Sequence, residues 1–496
     1  MQILRGRYKR SMVHLRFLCM LALFFAHVTD VWSQAKPAAV LKPVVAGVFY
    51  PSDKKLLEQR IDGFLKETEA RAQKNSAGPF GLIAPHAGYD YSGKVAAAAY
   101  RQIAGKPYKT IFLLGPSHYV PLQGISIYPY GAWETPLGKI PIDEQVAAAV
   151  MEQCGFVRYQ APAFEHEHSL EVQLPFLQKV LENFKIVPMV MGKLTGPELR
   201  TLADHLTTRV EQNPGRVLII ASSDMSHYHP YHEATAMDKN TLRQIEAMDL
   251  RMLRKSMEAG TGELCGSQAG TTLMRVAENI GARVKVLEYA NSGDVTGDKA
   301  RVVGYGAVGF YVADQQFAVS EKEQKILLQI ARRTLEGQAV GNGVSRMDVV
   351  AERLMEKRGV FVTLQKKGTL RGCVGYIKAV QPLAMAVSEM TIAASSHDPR
   401  FPAVDSAEIK DIRIEISVLS AMKRVRDPAE IKVGQHGLYI AKGENAGLLL
   451  PQVATSYGWS REEFLNQTCL KAGLPTGAWK DKDTQTYLFS AQIFAE

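Results

Sequence analysis

From Val44 to about residue 314, short apolar runs alternate with longer stretches of helical period, and few folds accommodate that alternation. The runs Gly81–Ala84, Thr110–Leu114, Ile186–Met191, Val217–Ala221, Val284–Tyr289 and Val302–Val312 read as strands. Between them Leu56–Leu65, Lys94–Ile103, Glu144–Cys154, Leu170–Phe184, Glu198–Val210 and Asn240–Met257 read as helices. Strands alternating with helices predict an α/β domain with a buried sheet.

The pattern changes near Ser320, where a second unit begins. Ser320 and Glu323 have the spacing of a capping box, and Ile326, Leu327, Ile330, Ala331 and Leu335 then recur on one helical face. Beyond that helix Val360–Leu364, Cys373–Ile377, Arg413–Leu419 and Gly447–Leu450 read as strands separated by glycine-rich turns. Fewer helices intervene, so this smaller domain is α+β. The expected layout is a leader over 1–33, an Ala/Pro linker over 34–43, one domain over 44–314 and another over 320–496.

With 496 residues, 46% of them hydrophobic, the chain can fill two packed cores, which excludes a disordered or collagenous protein. Its net charge of +9 is partly local. Arg5, Arg7, Lys9, Arg10 and Arg16 precede the apolar run from Phe17 to Ala26, and Ser33 or Ala35 offers a small-residue cleavage site, as in a secretory signal peptide. A bilayer span needs about 20 apolar residues, more than this run has, so no stable membrane span is expected after cleavage. Export to the periplasm or exterior is the expectation, with an uncleaved anchor or a cytoplasmic chain as the alternatives. Removal through Ser33 takes away five positive charges and one negative, leaving +5. No basic stripe interleaved with aromatics remains, so nucleic acid is not an expected partner. Export would place Cys154, Cys265, Cys373 and Cys469 where pairs can bridge, and their spacing favours none of the connectivities.

Eight of the 12 histidines fall between His86 and His232. His86 follows the run Gly81–Ala84, His118 follows Thr110–Leu114, and Asp224 and His227 follow Val217–Ala221. Ligands of α/β sheets bind outside the carboxyl ends of the strands, so loops far apart in sequence can converge there. Cys265 lies just before a helical pattern, Ala269 to Asn279, whose N-terminus would favour a thiolate. Two imidazoles and one thiolate leave coordination positions open, as a catalytic metal site requires. The residues therefore suggest one mononuclear metal held by His86, His118 and Cys265. Glu165-His166-Glu167-His168 offers further ligands or a solvated helix start, and His205 reads as exposed on a helix face.

The stretches Val45 to Pro51, Ile83 to Tyr89, Leu114 to His118 and Ser222 to Asp224 resemble the Memo family in order and composition. That resemblance implies a fold like the class III extradiol dioxygenases, with a central mixed sheet. It places His86, His118 and Cys265 as metal ligands, iron favoured with copper or zinc as alternatives, and His227 as general acid/base with Asp224 beside it. Leu370 to Gly375, Asp398 to Val404, Glu415 to Leu419 and Leu449 to Ala454 resemble the AMMECR domain family, which implies two α+β lobes with a cleft. Both domains resemble parts B and A of the AmmeMemoRadiSam system, here fused, which implies a functional link to a radical-SAM protein.

Three functional readings follow. The first is a metal-dependent, dioxygenase-like redox enzyme acting on a small-molecule or peptide substrate. The second is an iron- or copper-handling protein without turnover, and the third a peptide- or protein-binding module with a vestigial site. In the second domain Cys373 beside Arg371 is either an activated thiol or, the favoured reading, a core filler in a turn permitted by Gly372 and Gly375.

Overall fold

A computed structural model describes residues 39–69, 78–312, 318–339 and 352–496. The expected leader lies outside these residues, as does the linker up to residue 38. Among the described residues no helix is long and apolar enough to cross a membrane.

The first domain is built on a nine-stranded mixed sheet. Four strands, Gly81–Ala84, Val217–Ser222, Thr110–Pro116 and Lys185–Met191, lie side by side in that order and run parallel. Every residue of Val217–Ser222 is buried, as expected of a central parallel strand covered on both faces. Val302–Val312 pairs antiparallel with Gly81–Ala84 and also with Ala282–Asn291, which makes the sheet mixed. Apolar clusters fill both sides of the sheet, with Phe176 and Leu113 on one side and Phe112 and Leu273 on the other.

Two expected helices are shorter than the periodicity suggested. Asn240–Met257 spans two helices, Tyr231–Glu246 and Leu250–Glu258. Met248 between them has φ 54, which ends the first helix, and the Asp249 side chain accepts from Met252 N to start the second. Leu170–Phe184 resolves into a turn of 3-10 helix, Glu171–Gln173, and a short helix, Leu174–Val180. Glu171 is fully buried there because it accepts from Val44 N, Val45 N and Tyr50 Oη, pinning the start of the domain.

The second domain is α+β with two four-stranded sheets. One orders Thr369–Tyr376, Val360–Lys366, Ile412–Leu419 and Ala491–Ala495, and the other orders Lys423–Arg424, Gln485–Phe489, Gly437–Lys442 and Asn445–Leu449. The Ser320 capping box forms: Ser320 N and Oγ both donate to Glu323, and Glu323 N donates back to Ser320 Oγ. The helix Glu321–Ala339 follows. The domains meet through opposite charges. Glu211 pairs with Arg426 and Lys423, Asp249 with Lys378 at 3.0 Å, Arg251 with Glu444 at 2.6 Å, and Glu246 with Lys357. All four described cysteines are free.

Candidate metal centre

The parallel strands Gly81–Ala84, Val217–Ser222 and Thr110–Pro116 are neighbours, so their carboxyl ends open on the same edge of the sheet. The loops that leave those ends carry His86, then Asp224, then His118, and His227 opens the short strand His227–His229 just after Asp224. Cys265 arrives from the other direction, two residues before the helix Ser267–Ile280, whose side packs on Val217–Ser222. Gly266 makes that approach possible. A Cβ there would stand 2.3 Å from the Ser222 carbonyl oxygen, so only glycine lets the loop lie flat on the strand end.

One potential ligand atom each from His86, His118 and Cys265 lies within 4.8 Å of the others. Cys265 Sγ is 3.3 Å from His86 Nε2. The hydrogen bonds around the rings fix which nitrogens carry protons. Ser222 Oγ spends its single proton on the Ser169 carbonyl at 2.6 Å, so at 2.9 Å from His86 Nδ1 it accepts. Glu167 is 3% exposed and held as a carboxylate, with its pKa lowered to about 2, so His118 Nδ1 donates to it at 2.9 Å. Burial alone would raise that carboxyl, but the hydrogen bonds from His118 and Ser169 outweigh it. With each Nδ1 held by a partner, Nε2 is the nitrogen of each ring left to bind a metal.

The sulfur is less simple. The expectation that a helix N-terminus would favour the thiolate is overturned here: burial and the neighbouring Asp224 charge push the Cys265 thiol up to about 12. Donors from Asp224 N at 3.1 Å and from Ser223 oppose that shift without cancelling it. A thiol this costly to ionise in isolation needs a cation to displace its proton. Asp224 knits the site together, accepting from His86 N at 2.8 Å and Ala87 N at 3.3 Å while its backbone exchanges hydrogen bonds with Cys265. Burial raises its carboxyl above the ordinary range. His227 Nδ1 donates to the Met225 carbonyl at 2.8 Å, and the ring lies near both His86 and Asp224.

The structure also brings in residues the sequence left open. His168 stacks on His118 with ring centroids 4.7 Å apart and stands edge-on to His86 at 5.4 Å, and Glu167 is the orienting carboxylate just described. The dense Glu165 to His168 run was the available signal, and its ambiguity lay in the short turn that replaces the expected helix start. His205, expected to be exposed, is 9% exposed and bonded to Gln153 at 2.7 Å.

In the second domain Arg371 is committed elsewhere, to Glu408 at 2.9 Å and to the Pro402 and Ala403 carbonyls. Cys373 accepts from Thr363 Oγ1 at 3.3 Å, and burial raises its thiol. The activated-thiol reading through Arg371 therefore has no support. The expected tight turn is not there, because Gly372 and Gly375 lie inside the strand Thr369–Tyr376 and Cys373 is only half-buried. Gly372 is needed for packing instead, since a Cβ there would stand 2.1 Å from the Ala394 carbonyl.

Fold and site together define a mixed α/β protein with a two-histidine, one-cysteine constellation at the carboxyl edge of a parallel sheet. A family model described as Memo-like protein matches residues 42–309, and an AMMECR1 model matches residues 328–494. The chain belongs to the Memo family, with an AMMECR1 domain in the same chain. It is 36% identical over 278 residues to a MEMO1 family protein of Desulfurococcus amylolyticus, covering 54% of this chain and 98% of that one. A MEMO1 family protein of Methanopyrus kandleri is 35% identical over 277 residues, with the same coverage of 54% and 98%. Among solved structures, an uncharacterized protein from Pyrococcus horikoshii is 39% identical, covering 36% of this chain and 93% of its own, with a TM-score of 0.35.

Proposed function

We propose that His86, His118 and Cys265 hold one metal ion, iron favoured with copper or zinc as alternatives, and that the Memo domain is a redox enzyme acting on a small-molecule or peptide substrate. The observation that carries this reading is the grouping of the His86 and His118 rings, each held by a partner on Nδ1 so that Nε2 is left for a metal, with the Cys265 sulfur. When bound, such an ion supplies Lewis acidity and, for iron or copper, one-electron chemistry. The chain's own residues do the rest. His227, with Nδ1 held by the Met225 carbonyl, keeps Nε2 for proton exchange with substrate as general acid/base. Asp224 positions the His86 and Cys265 loops.

Elemental analysis of the full chain purified without air tests the reading. About one metal ion per chain is expected, lost in His86→Ala and in Cys265→Ser. Oxygen uptake that vanishes in His227→Ala while the metal stays would mark an enzyme. A metal that stays with no uptake in the parent would mark a metal-handling protein instead. Two further proposals rest on the sequence alone: the basic and apolar leader directs export, and the fused domains serve the same pathway as a radical-SAM protein.

A further inference from the structure

The seam between the two domains gathers cations that no ion pair balances. The helix Ser267–Ile280 ends against the second domain, where a Cβ on Gly281 would stand 3.2 Å from Lys423 Cβ and 3.3 Å from the Met422 carbonyl. The strand Lys423–Arg424 packs on this helix and pairs with Gln485–Phe489, with Arg424 directly opposite Tyr487. Side chains opposite each other in such a ladder share a face. On this face Tyr487 reaches the helix, its Oη donating to Glu278 Oε1 at 3.2 Å, so Arg424 faces the helix too. Arg275 stands three residues before Glu278, which puts both on one side of the helix.

Arg200 joins from the other domain element packed there, the helix Gly196–Gln212. That helix lies between the parallel strands Lys185–Met191 and Val217–Ser222 and returns the chain across the sheet. Ser267–Ile280 likewise starts beside Ser223 at the carboxyl edge and leads into Ala282–Asn291, a strand that runs in the direction of Gly81–Ala84. The two helices therefore run parallel. Asn279 Nδ2 ties them, donating to Asp204 Oδ1 at 2.9 Å and to Thr207 Oγ1 at 3.0 Å. One turn earlier on each helix stand Arg275 and Arg200.

Arg200, Arg275 and Arg424 are each half-buried, and none makes an ion pair or a side-chain hydrogen bond among the described residues. The neighbours of Arg424 do pair, Lys423 with Glu211 and Glu430, and Arg426 with Glu211. Arg275 Nε is buried with no hydrogen-bond partner, and so is Glu278 Oε2. Burial raises the Glu278 carboxyl, which weakens it as a counter-charge for the guanidiniums around it. Cations set into a fold without partners cost stability, a cost that a bound anion removes.

We propose that Arg200, Arg275 and Arg424 form an anion site in the seam between the domains, and that its ligand is a phosphate group, free or as a monoester. Guanidinium forks match phosphate oxygens two at a time. A phosphate near neutral pH carries about −1.5 to −2, the charge that three guanidiniums facing one carboxylate leave unmatched, whereas a carboxylate ligand would bring only half of it. Bound there, it fastens two helices of the first domain to a strand of the second. The site lies toward the opposite end of Ser267–Ile280 from Cys265, so it does not depend on the metal reading.

Calorimetric titration and thermal midpoints of the full chain in phosphate-free buffer test the site, with inorganic phosphate and glycerol 3-phosphate as probes and sodium chloride at matched ionic strength as the control. Phosphate at low millimolar concentration is expected to bind and to raise the midpoint where chloride does not. Arg275→Gln and Arg424→Gln should each weaken phosphate binding at least ~10-fold. In chloride alone Arg275→Met should be no less stable than the parent, because it removes an unpaired charge, and it should lose the rise that phosphate gives. A purely structural arginine would do the reverse. Binding of both probes assigns the site to phosphate esters, and binding of inorganic phosphate alone assigns it to the free ion. No phosphate-dependent rise in the parent, or a rise that survives both Arg275→Gln and Arg424→Gln, overturns the proposal. So does an Arg275→Met chain much less stable than the parent in chloride, which would show the guanidinium satisfied within the fold.

Discussion

Cys265 Sγ stands 3.3 Å from His86 Nε2, although 179 positions separate the two residues in the chain. Two independent constraints bring them together. His86 rides the carboxyl end of a parallel strand, and Cys265 is pressed onto the adjacent strand by Gly266, by its own N donating to the Asp224 carbonyl and by Asp224 N donating to its sulfur.

Replacing Cys265 by serine should remove metal affinity with little loss of fold, because the side chains differ by one atom and the loop is held by its backbone. The drop should be at least ~10-fold in chelator competition. Parent-like affinity in Cys265→Ser would take the sulfur out of the ligand set.

Glu167 acts one step further out. Its carboxylate fixes the His118 proton on Nδ1 and also receives His118 N at 2.7 Å. Glu167→Gln keeps the shape but can present a donor where the ring needs an acceptor. Metal affinity should fall about 10–100-fold, the range found for orienting partners. The thermal midpoint should move much less than the affinity does. An unchanged affinity would mean that His118 is oriented by packing on His168 alone.

How much of this was legible beforehand follows from where the information sits. The strand ends and their histidines could be read because central parallel strands are continuous apolar runs, such as Val217–Ser222, and the residues after them stand out. The convergence of His86, Asp224 and His118 was an inference about topology, and the strand order makes it a neighbour relation. Glu167 was hidden because its role depends on a turn, not on a periodic element. The short sheet of Val40–Leu41, Ala132–Thr135 and Gly138–Pro141 escaped because its strands span two to four residues and carry no alternation long enough to read. The Cys265 thiol was misjudged because a helix end is visible in sequence, whereas burial beside Asp224 is not.

Gly266→Ala tests the seating of the Cys265 loop. The added methyl would meet the Ser222 carbonyl at 2.3 Å and the Ser223 side chain at 2.8 Å, and neither neighbour is the far end of a flexible chain. A destabilisation of about 1–3 kcal/mol is expected, as for other overpacked sites, with metal content lowered in the protein that still folds. Denaturant midpoints together with metal content check it. An alanine variant with parent stability and full metal would show that the loop has room to move.

Glu211 and Arg426 test how firmly the two domains are joined. The pair is partly exposed and shared with Lys423, so a single Glu211→Gln should cost no more than about 1 kcal/mol. A double-mutant cycle with Arg426→Gln should return a coupling of a few tenths, about the size found for exposed pairs. The effect should shrink as salt rises. A coupling of several kcal/mol would mean that this pair, and not the whole charged face, holds the domains together.

The second domain should lose stability in acid through Asp398. Its carboxyl accepts from Arg400 Nε at 2.9 Å, Arg400 Nη2 at 2.6 Å and Cys373 N at 2.8 Å, and these donors, Arg400 first, hold it well below the usual carboxylate range. A carboxyl depressed in the folded state stabilises fully above its unfolded pKa of about 3.9 and loses that contribution as pH falls toward the folded value. Asp398→Asn cannot titrate. It should therefore be less stable than the parent near neutrality, by about 1–3 kcal/mol for the lost charged hydrogen bonds. The gap should narrow as pH drops below about 4, when the parent carboxyl begins to protonate in the unfolded chain. Thermal midpoints of both proteins from pH 7 down to pH 3 decide the matter, and a gap that stays constant over that range would show that Asp398 holds the Cys373 strand by shape and not by charge.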